Sequence, residues 1–208
     1  MDTSPASPSD EFTTLRARAR AALTVRASRF LAQALPVKGK EECEEILGLI
    51  RKEYFDATHH PYAYRLSPDG MLFRAHDDGE PSGTAGRPIL GAIEGSGLTG
   101  VLVVVTRYFG GTKLGAGGLA RAYRGAAEAA LSAGGRSTQY LCDTLGVTVP
   151  HSLVGPVIRA VAAAGGHIAD SRYGEEVEMA IEIRRSRAAG LRVALLEGTA
   201  GAVRFIER

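Results

Sequence analysis

The stretch Gly100–Gly118 reads GVLVVVTRYFGGTKLGAGG and runs directly into LARAYRGAAEAAL. Its first half contains an unbroken aliphatic run, Val101–Val105, which is typical of a strand buried on both faces. We therefore expect this strand to lie in the middle of a sheet. The glycines that follow the strand predict a loop that ordinary side chains would obstruct.

A helix is expected after this loop, because apolar residues recur there at helical spacing, at Leu119, Ala122, Tyr123, Ala126 and Ala130. A glycine-rich loop at a helix N-terminus offers free N–H groups and a partial positive charge to an anion. Residues 95–127 include four basic residues and no acidic one, the basic residues being Arg107, Lys113, Arg121 and Arg124. The pattern favours an anion-binding surface. The alternative is that the glycines only permit tight turns and the cations are solvated.

Composition limits the class of protein. The 208 residues are 45% hydrophobic, which suffices for one or two domains with a real core. Two distant cysteines, Cys43 and Cys142, argue against a disulfide framework or a zinc ribbon and favour a reducing cytoplasm. Neither a membrane-spanning run nor an apolar signal core is present, so we expect a cytoplasmic protein without membrane partners. The net charge is only +2, so nucleic-acid binding would require a local basic patch.

The chain before the central strand also shows clear patterns. Residues 1–11 are rich in Ser, Pro and Asp and predict a disordered tail. Residues 12–37 predict strands with a basic face, and residues 39–55 predict an amphipathic helix with Cys43 in the core. Two short strands, at 62–66 and 71–75, are joined by a Ser-Pro-Asp-Gly turn and predict a hairpin.

A second polar loop, residues 76–87, reads HDDGEPSGTAGR. Ser82 and Thr84 precede a short predicted helix and suit a helix cap or a hydrogen bond to a ligand. Asp77, Asp78 and Glu80 would repel a bare phosphate. If this loop faces the basic one, these acids are expected either to pair with Arg107 or Lys113 or to hold a hydrated Mg²⁺.

The last third of the chain predicts a separate domain. Beyond a boundary at 138/139, hydrophobic periodicity gives the order βαββαβ, which is the ferredoxin-like split unit. No cluster of chemically active residues stands out there.

Three motifs together resemble the YigZ/IMPACT family: residues 77–86, 104–111 and 113–119, followed by Ala122-Tyr123. With residues 28–30 and 56–60 the resemblance covers most of 22–133. It implies an α+β protein of two domains. The N-terminal β-α-β domain, 12–138, would have the superfold shared by a small-subunit ribosomal protein and the GHMP-type sugar and mevalonate kinases. The C-terminal domain, 139–208, is similar to a ferredoxin-like domain of elongation factor G.

The resemblance also implies a link to translation, because the eukaryotic relatives look like regulators that compete for the activator of an amino-acid-sensing kinase. The favoured hypothesis is a non-catalytic regulator that binds RNA, the ribosome or a translation-associated protein and needs no cofactor. Its expected contact residues are Arg107, Tyr108, Gly110, Gly111, Lys113, Gly115, Gly117, Gly118, Arg121 and Arg124, with Ser82 and Thr84.

The alternative is a nucleotide- or phosphate-binding enzyme, kinase-like or hydrolase-like, in which the same glycine loop cradles a phosphate. Asp77, Asp78 and Glu80 would then hold Mg²⁺. Against this alternative, the sequence lacks the Gly-x-x-x-x-Gly-Lys-Ser/Thr motif.

Overall fold

The computed structural model describes residues 10–207. Most of the predicted disordered tail, residues 1–9, lies outside this range. Its last two residues differ from the expectation, because Asp10 is buried and Glu11 begins the first strand. The Asp10 carboxylate accepts hydrogen bonds from Arg184 over 3.0 Å and from the Ser186 hydroxyl over 2.6 Å. These bonds hold the pKa of Asp10 well below its usual range.

The chain forms five α-helices and eleven strands within the described residues. In order they are β1 Glu11–Leu15, β2 Ala19–Val25, β3 Ser28–Pro36, α1 Lys40–Glu53, β4 Tyr62–Arg65, β5 Phe73–His76, α2 Gly86–Ser96, β6 Val101–Tyr108, α3 Ala116–Gly134, β7 Arg136–Tyr140, β8 Cys142–Val149, α4 Val154–Ala163, β9 His167–Tyr173, β10 Val177–Arg184, α5 Arg185–Gly198 and β11 Arg204–Ile206. Two compact units result. The N-terminal unit comprises 12–139, and the C-terminal unit comprises 140–207 with 10–11.

The N-terminal unit is organised around β6. Its five-stranded sheet has the order β2-β3-β6-β4-β5, and all neighbouring strands are antiparallel. Val101, Val103 and Val105 belong to the hydrophobic core that α2 and α3 form on one face. Leu102 and Val104 belong to the core that α1 forms on the other face. The prediction of a central strand buried on both faces is therefore confirmed.

The helices α1 and α3 bury the apolar stripes that the sequence predicts. In α1, Cys43 is fully buried, and burial together with nearby glutamates raises the pKa of its thiol to about 12. In α2, the first residue must be small, because a Cβ on Gly86 would lie 2.5 Å from the backbone nitrogen of His76.

Outside the main sheet, β1 and β7 form a separate two-stranded sheet.

The C-terminal unit has the predicted order β8-α4-β9-β10-α5-β11. Its sheet has the strand order β11-β8-β10-β9, with every neighbouring pair antiparallel. One core joins this sheet to α4 and α5 through residues such as Val147, Val157, Ile181 and Leu191. The ferredoxin-like prediction is confirmed. Within residues 10–207, none of the helices has the length and apolar character needed to cross a bilayer.

The central position of β6 gives a test of the N-terminal core. We expect Leu102→Ala, at a side chain with no exposed surface, to lower the free energy of unfolding by about 2–5 kcal/mol, because it leaves a cavity in the core. The matched control is Leu49→Ala, at a side chain that is 64% exposed, and its effect should stay within about 0.5 kcal/mol. Urea unfolding followed by circular dichroism measures both, and equal effects would contradict the two-faced burial of β6.

Candidate functional site

A buried ion pair joins the two polar loops of the N-terminal unit. Arg107, at the end of β6, donates from Nη1 to Glu80 Oε1 over 2.5 Å. The two side chains are only 6% and 3% exposed. The hydroxyl of Tyr123, on α3, donates to the same oxygen over 2.7 Å. A single carboxylate thus connects the acidic loop, the central strand and the helix that follows the glycine loop.

The position of Arg107 differs from the expectation of a surface contact. Its guanidinium carbon lies 5.6 Å from the ring centre of Phe30 and 5.4 Å from that of Phe109. Phe30 in turn packs edge-on against Tyr123 at 5.1 Å between ring centres. This aromatic enclosure and the pairing with Glu80 remove the cation from solvent, so Arg107 is unavailable to an external phosphate.

Ser28, the first residue of β3, connects the ion pair to the turn between β2 and β3. The Ser28 hydroxyl is buried and accepts hydrogen bonds from Arg107 Nη2 over 3.4 Å and from the Gly110 amide over 3.2 Å. A Cβ on Gly110 would lie 2.1 Å from the carbonyl carbon of Ala27, which excludes any larger residue there. The close approach expected of the glycine loop is therefore made, at Gly110, to the protein's own turn.

Asp77 organises the acidic loop by accepting backbone hydrogen bonds at the start of α2. Its carboxylate accepts from the N–H groups of Gly83 over 2.8 Å, Ala85 over 3.0 Å and Gly86 over 2.8 Å. Burial alone would raise the pKa of Asp77, but these three donors outweigh it and lower the pKa. A negative charge at this helix N-terminus is also favourable to the helix dipole.

Asp78 has different partners. Its carboxylate accepts from Arg51 over 2.9 Å and from the His60 amide over 2.8 Å. Burial opposes ionisation of Asp78, but these bonds and the Arg51 charge prevail and lower its pKa. Its backbone lies at a φ of +48°, in the left-handed region that few non-glycine residues adopt.

The two remaining candidate residues of the acidic loop, Ser82 and Thr84, differ in their exposure to solvent. Ser82 is exposed, whereas Thr84 is buried and its hydroxyl donates to the Pro81 carbonyl over 2.7 Å. Thr84 therefore stabilises the loop and is not presented to a ligand. Within residues 10–207, no group of three or more His, Cys, Asp or Glu side chains is placed to hold a metal ion.

The surface of the glycine loop is open and basic. Gly111 and Gly115 have φ values of +82° and +72°, and neither would meet another atom within 4 Å if it carried a Cβ. Gly117 is also exposed, whereas Gly118 lies against Leu114. The Tyr108 hydroxyl, at the other end of the loop, donates to Asp56 over 2.8 Å.

Arg121 and Arg26 line one groove of about 220 Å³ beside this loop. The floor of the groove is apolar and includes Leu23, Val25 and Leu114. Lys113, next to Leu114 in the chain, is exposed. The structure therefore adds Arg26, from the β2–β3 turn, to the cations expected from the sequence.

Arg124 lies apart from this groove. It forms an ion pair with Glu128 over 2.8 Å and lines a different groove, of about 540 Å³, with residues of α2 such as Ala92 and Gly95. Its charge is already matched by an acid one helical turn away, so it differs from Arg121 in both surroundings and charge.

Comparisons with known proteins agree with this architecture. The Impact N-terminal domain matches residues 26–131, and a domain of unknown function, DUF1949, matches residues 147–202. A Thermus thermophilus protein, "IMPACT family member in pol 5'region", is 54% identical over 51% of this chain and 56% of its own length. "IMPACT family member YvyE" of Bacillus subtilis is 34% identical over 75% of this chain and 72% of its own.

A solved crystal structure of a protein described as hypothetical also resembles the chain. The two structures superpose with a TM-score of 0.74 at 26% sequence identity, covering 96% of this chain and 98% of the other. The matched region spans little more than half of the Thermus relative. The similarity to the crystal structure therefore extends over both units, whereas that to the Thermus protein covers about half of this chain.

The buried pair gives a direct test. We expect Glu80→Gln to lower the free energy of unfolding by about 3–5 kcal/mol, because Arg107 would remain buried without its counter-charge. The matched control is Glu128→Gln, which removes the acid of the exposed pair with Arg124 and should change stability by less than about 1 kcal/mol. Chemical unfolding at neutral pH measures both. Similar effects of the two variants would mean that the buried pair does not stabilise the fold.

The lowered pKa of Asp77 predicts an acid-sensitive contribution to stability. The ionised carboxylate stabilises the folded state fully above its unfolded pKa of about 3.9, and this contribution is lost as the pH falls through the lower folded pKa. Asp77→Asn should therefore cost about 2 kcal/mol at pH 7, and its difference from the wild type should shrink below about pH 4. Urea unfolding from pH 7 to pH 3 measures this, with exposed Glu45→Gln as control. A difference that is independent of pH would contradict the assignment.

Proposed function

The chain belongs to the IMPACT family, and from this membership we propose that it is a non-catalytic, translation-linked regulator. It binds RNA, in the ribosome or free, through a surface formed by Arg26, Lys113 and Arg121 around the glycine loop. We call this the glycine-loop surface.

The observation that carries the proposal is the state of these three cations. All three side chains are exposed, and none has an acidic group within 4.0 Å among residues 10–207, whereas Arg107 and Arg124 are paired. Unpaired cations beside an open backbone loop suit phosphate, which takes charge from the side chains and hydrogen bonds from backbone N–H groups.

A strained turn supports a role for Arg26. Arg26 and Ala27 form the two-residue loop between the paired residues Val25 and Ser28, with φ values of +44° and +66°. Such turns favour glycine and asparagine, and each non-glycine residue in this region costs about 1–3 kcal/mol. The contacts of Gly110 with Ala27 and Ser28 hold the turn in place. The strained turn thus places Arg26 in the groove that Arg121 also lines.

The bonding of the acids disfavours the enzyme alternative. Asp77 already accepts three backbone N–H groups, Asp78 binds Arg51, and Glu80 binds Arg107 and Tyr123. A Mg²⁺ ion held by these carboxylates would have to displace donors that stabilise the loop. The regulatory function needs no such rearrangement.

The link to translation comes from the family resemblance. A C-terminal unit with the ferredoxin-like order, similar to a domain of elongation factor G, is suited to a second contact on the ribosome. The glycine-loop surface then makes the phosphate contacts, and the C-terminal unit orients the protein on the ribosome.

Co-sedimentation with purified ribosomes and subunits across a salt series tests the proposal. We expect the wild type to bind at low salt and to dissociate steeply as salt rises, because phosphate contacts release counterions. The triple variant Arg26→Ala, Lys113→Ala, Arg121→Ala should lose most of this binding and reduce the slope of log affinity against log salt by about 3.

The matched control removes the same charge elsewhere on the N-terminal unit, with Lys38→Ala, Lys52→Ala and Arg74→Ala, all at exposed positions. This control should bind nearly as the wild type does. Equal losses in the two triple variants would contradict the assigned surface, because the binding would then depend on net charge alone. No association of the wild type at low salt with ribosomes, subunits or free oligonucleotides would overturn the proposal.

A further inference from the structure

A third groove lies on the face of the main sheet that α1 leaves partly open. It has a volume of about 360 Å³ and is lined by β2, β3 and the residue that follows α1. On this face β2 presents Arg20 and Ala22, while the alternate residues Ala21 and Leu23 pack toward the core beneath α3. Its polar groups come from Arg20, Arg29, Gln33 and Tyr54.

Gln33 is the unusual residue of this groove. It is only 2% exposed, and its side-chain nitrogen Nε2 is buried without a hydrogen-bond partner among the described residues. The amide orientation is fixed by Arg20, whose Nε donates to Gln33 Oε1 over 3.2 Å. Because Arg20 can only donate, the oxygen must face it and the NH₂ group must point elsewhere. A buried donor without an acceptor is unfavourable, and a ligand that supplies the acceptor removes that cost.

The charge around Gln33 indicates what kind of ligand this is. Arg29 is exposed and has no acidic partner within residues 10–207, and Arg20 has an exposed partner, Glu53, at 3.4 Å. Both arginines line the groove together with Tyr54. The groove therefore combines one unpaired guanidinium group, that of Arg29, for phosphate with an amide donor for a neutral oxygen.

An aromatic ring and an apolar floor complete the groove. Tyr54 forms one wall, and Ala22 and Leu31 contribute apolar surface. Phe55, the next residue in the chain, is 84% exposed. Aromatic side chains and arginines on an open sheet face stack unpaired bases, whereas double-stranded RNA keeps its bases stacked within the helix.

We propose that this groove binds a nucleotide of single-stranded RNA, with Gln33 donating from Nε2 to a carbonyl oxygen of the base. Arg29 binds an adjoining phosphate, Arg20 holds the Gln33 oxygen, and Tyr54 packs against the base. Since Oε1 is held by Arg20, the site selects bases that carry a carbonyl oxygen, such as uracil, over adenine. The inference rests on the RNA binding proposed above and adds a base-selective site to the glycine-loop surface.

Fluorescence anisotropy with ten-nucleotide oligouridylate and oligoadenylate tests this inference. We expect the wild type to bind oligouridylate about five- to tenfold more tightly than oligoadenylate. Gln33→Glu keeps the shape of the side chain but removes the donor, so the ratio should fall to about one. Gln33→Met also lacks the donor but carries no charge, and it should give the same ratio. It serves as a second variant in case the buried charge of Gln33→Glu prevents folding.

Arg29→Ala should weaken both oligonucleotides equally and lower the salt slope by about 1, while exposed Arg74→Ala serves as the charge-matched control. Equal affinity of the wild type for the two oligonucleotides, binding of neither, or a preference retained in both Gln33 variants would overturn the inference.

The two proposals fail separately. Ribosome association that is lost in the Arg26, Lys113 and Arg121 variant, with no base preference in the wild type, would leave the proposed function standing and reject the sheet-face site. A base preference that depends on Gln33, with RNA and ribosome binding unchanged in the Arg26, Lys113 and Arg121 variant, would reject the glycine-loop surface instead.

Discussion

The buried ion pair between Glu80 and Arg107 is the interaction on which the organisation of the N-terminal unit depends. Two charges at 6% and 3% side-chain exposure depend on further hydrogen bonds, and Tyr123 and Ser28 supply two of them, whereas Arg107 Nε has no partner among residues 10–207. The pair fixes the acidic loop against the central strand. Through Ser28 it also positions the β2–β3 turn against Gly110, so the loop that the sequence marks as glycine-rich is held at its first glycine and open beyond it.

This arrangement separates structural cations from cations that are free to bind. Arg107 neutralises a buried carboxylate, and Arg124 pairs with an acid on its own helix. Arg26 and Arg121 share a groove without an acidic partner among the described residues. A strained turn that the buried network supports fits the common association of backbone strain with functional sites. The contacts that link the ion pair to the turn, through Ser28 and Gly110, thus hold Arg26 in this conformation.

The sequence predicted the elements well because their patterns are local. The aliphatic run Val101–Val105 has no polar face, so a central strand was the natural expectation, and the alternation in Val177–Arg184 defined a half-buried strand of the C-terminal unit. The site was less predictable. Pairing of the acidic loop with Arg107 was one of the two expectations for that loop, but the burial of the pair was not expected, because a charged residue at the end of a strand resembles a surface contact. The turn at Arg26 carries no glycine or asparagine, and Asp10 is ordered by groups more than 170 residues distant.

The most direct test of the account is amide hydrogen exchange, followed by mass spectrometry, in the wild type and in the Glu80→Gln variant under conditions where both are folded. If the buried pair holds the turn and the glycine loop, exchange should accelerate in residues 25–28 and 110–119 while residues 142–206 of the C-terminal unit keep wild-type protection. Unchanged protection in the turn and loop of the folded variant would contradict the account, because the surface would then be organised without the ion pair.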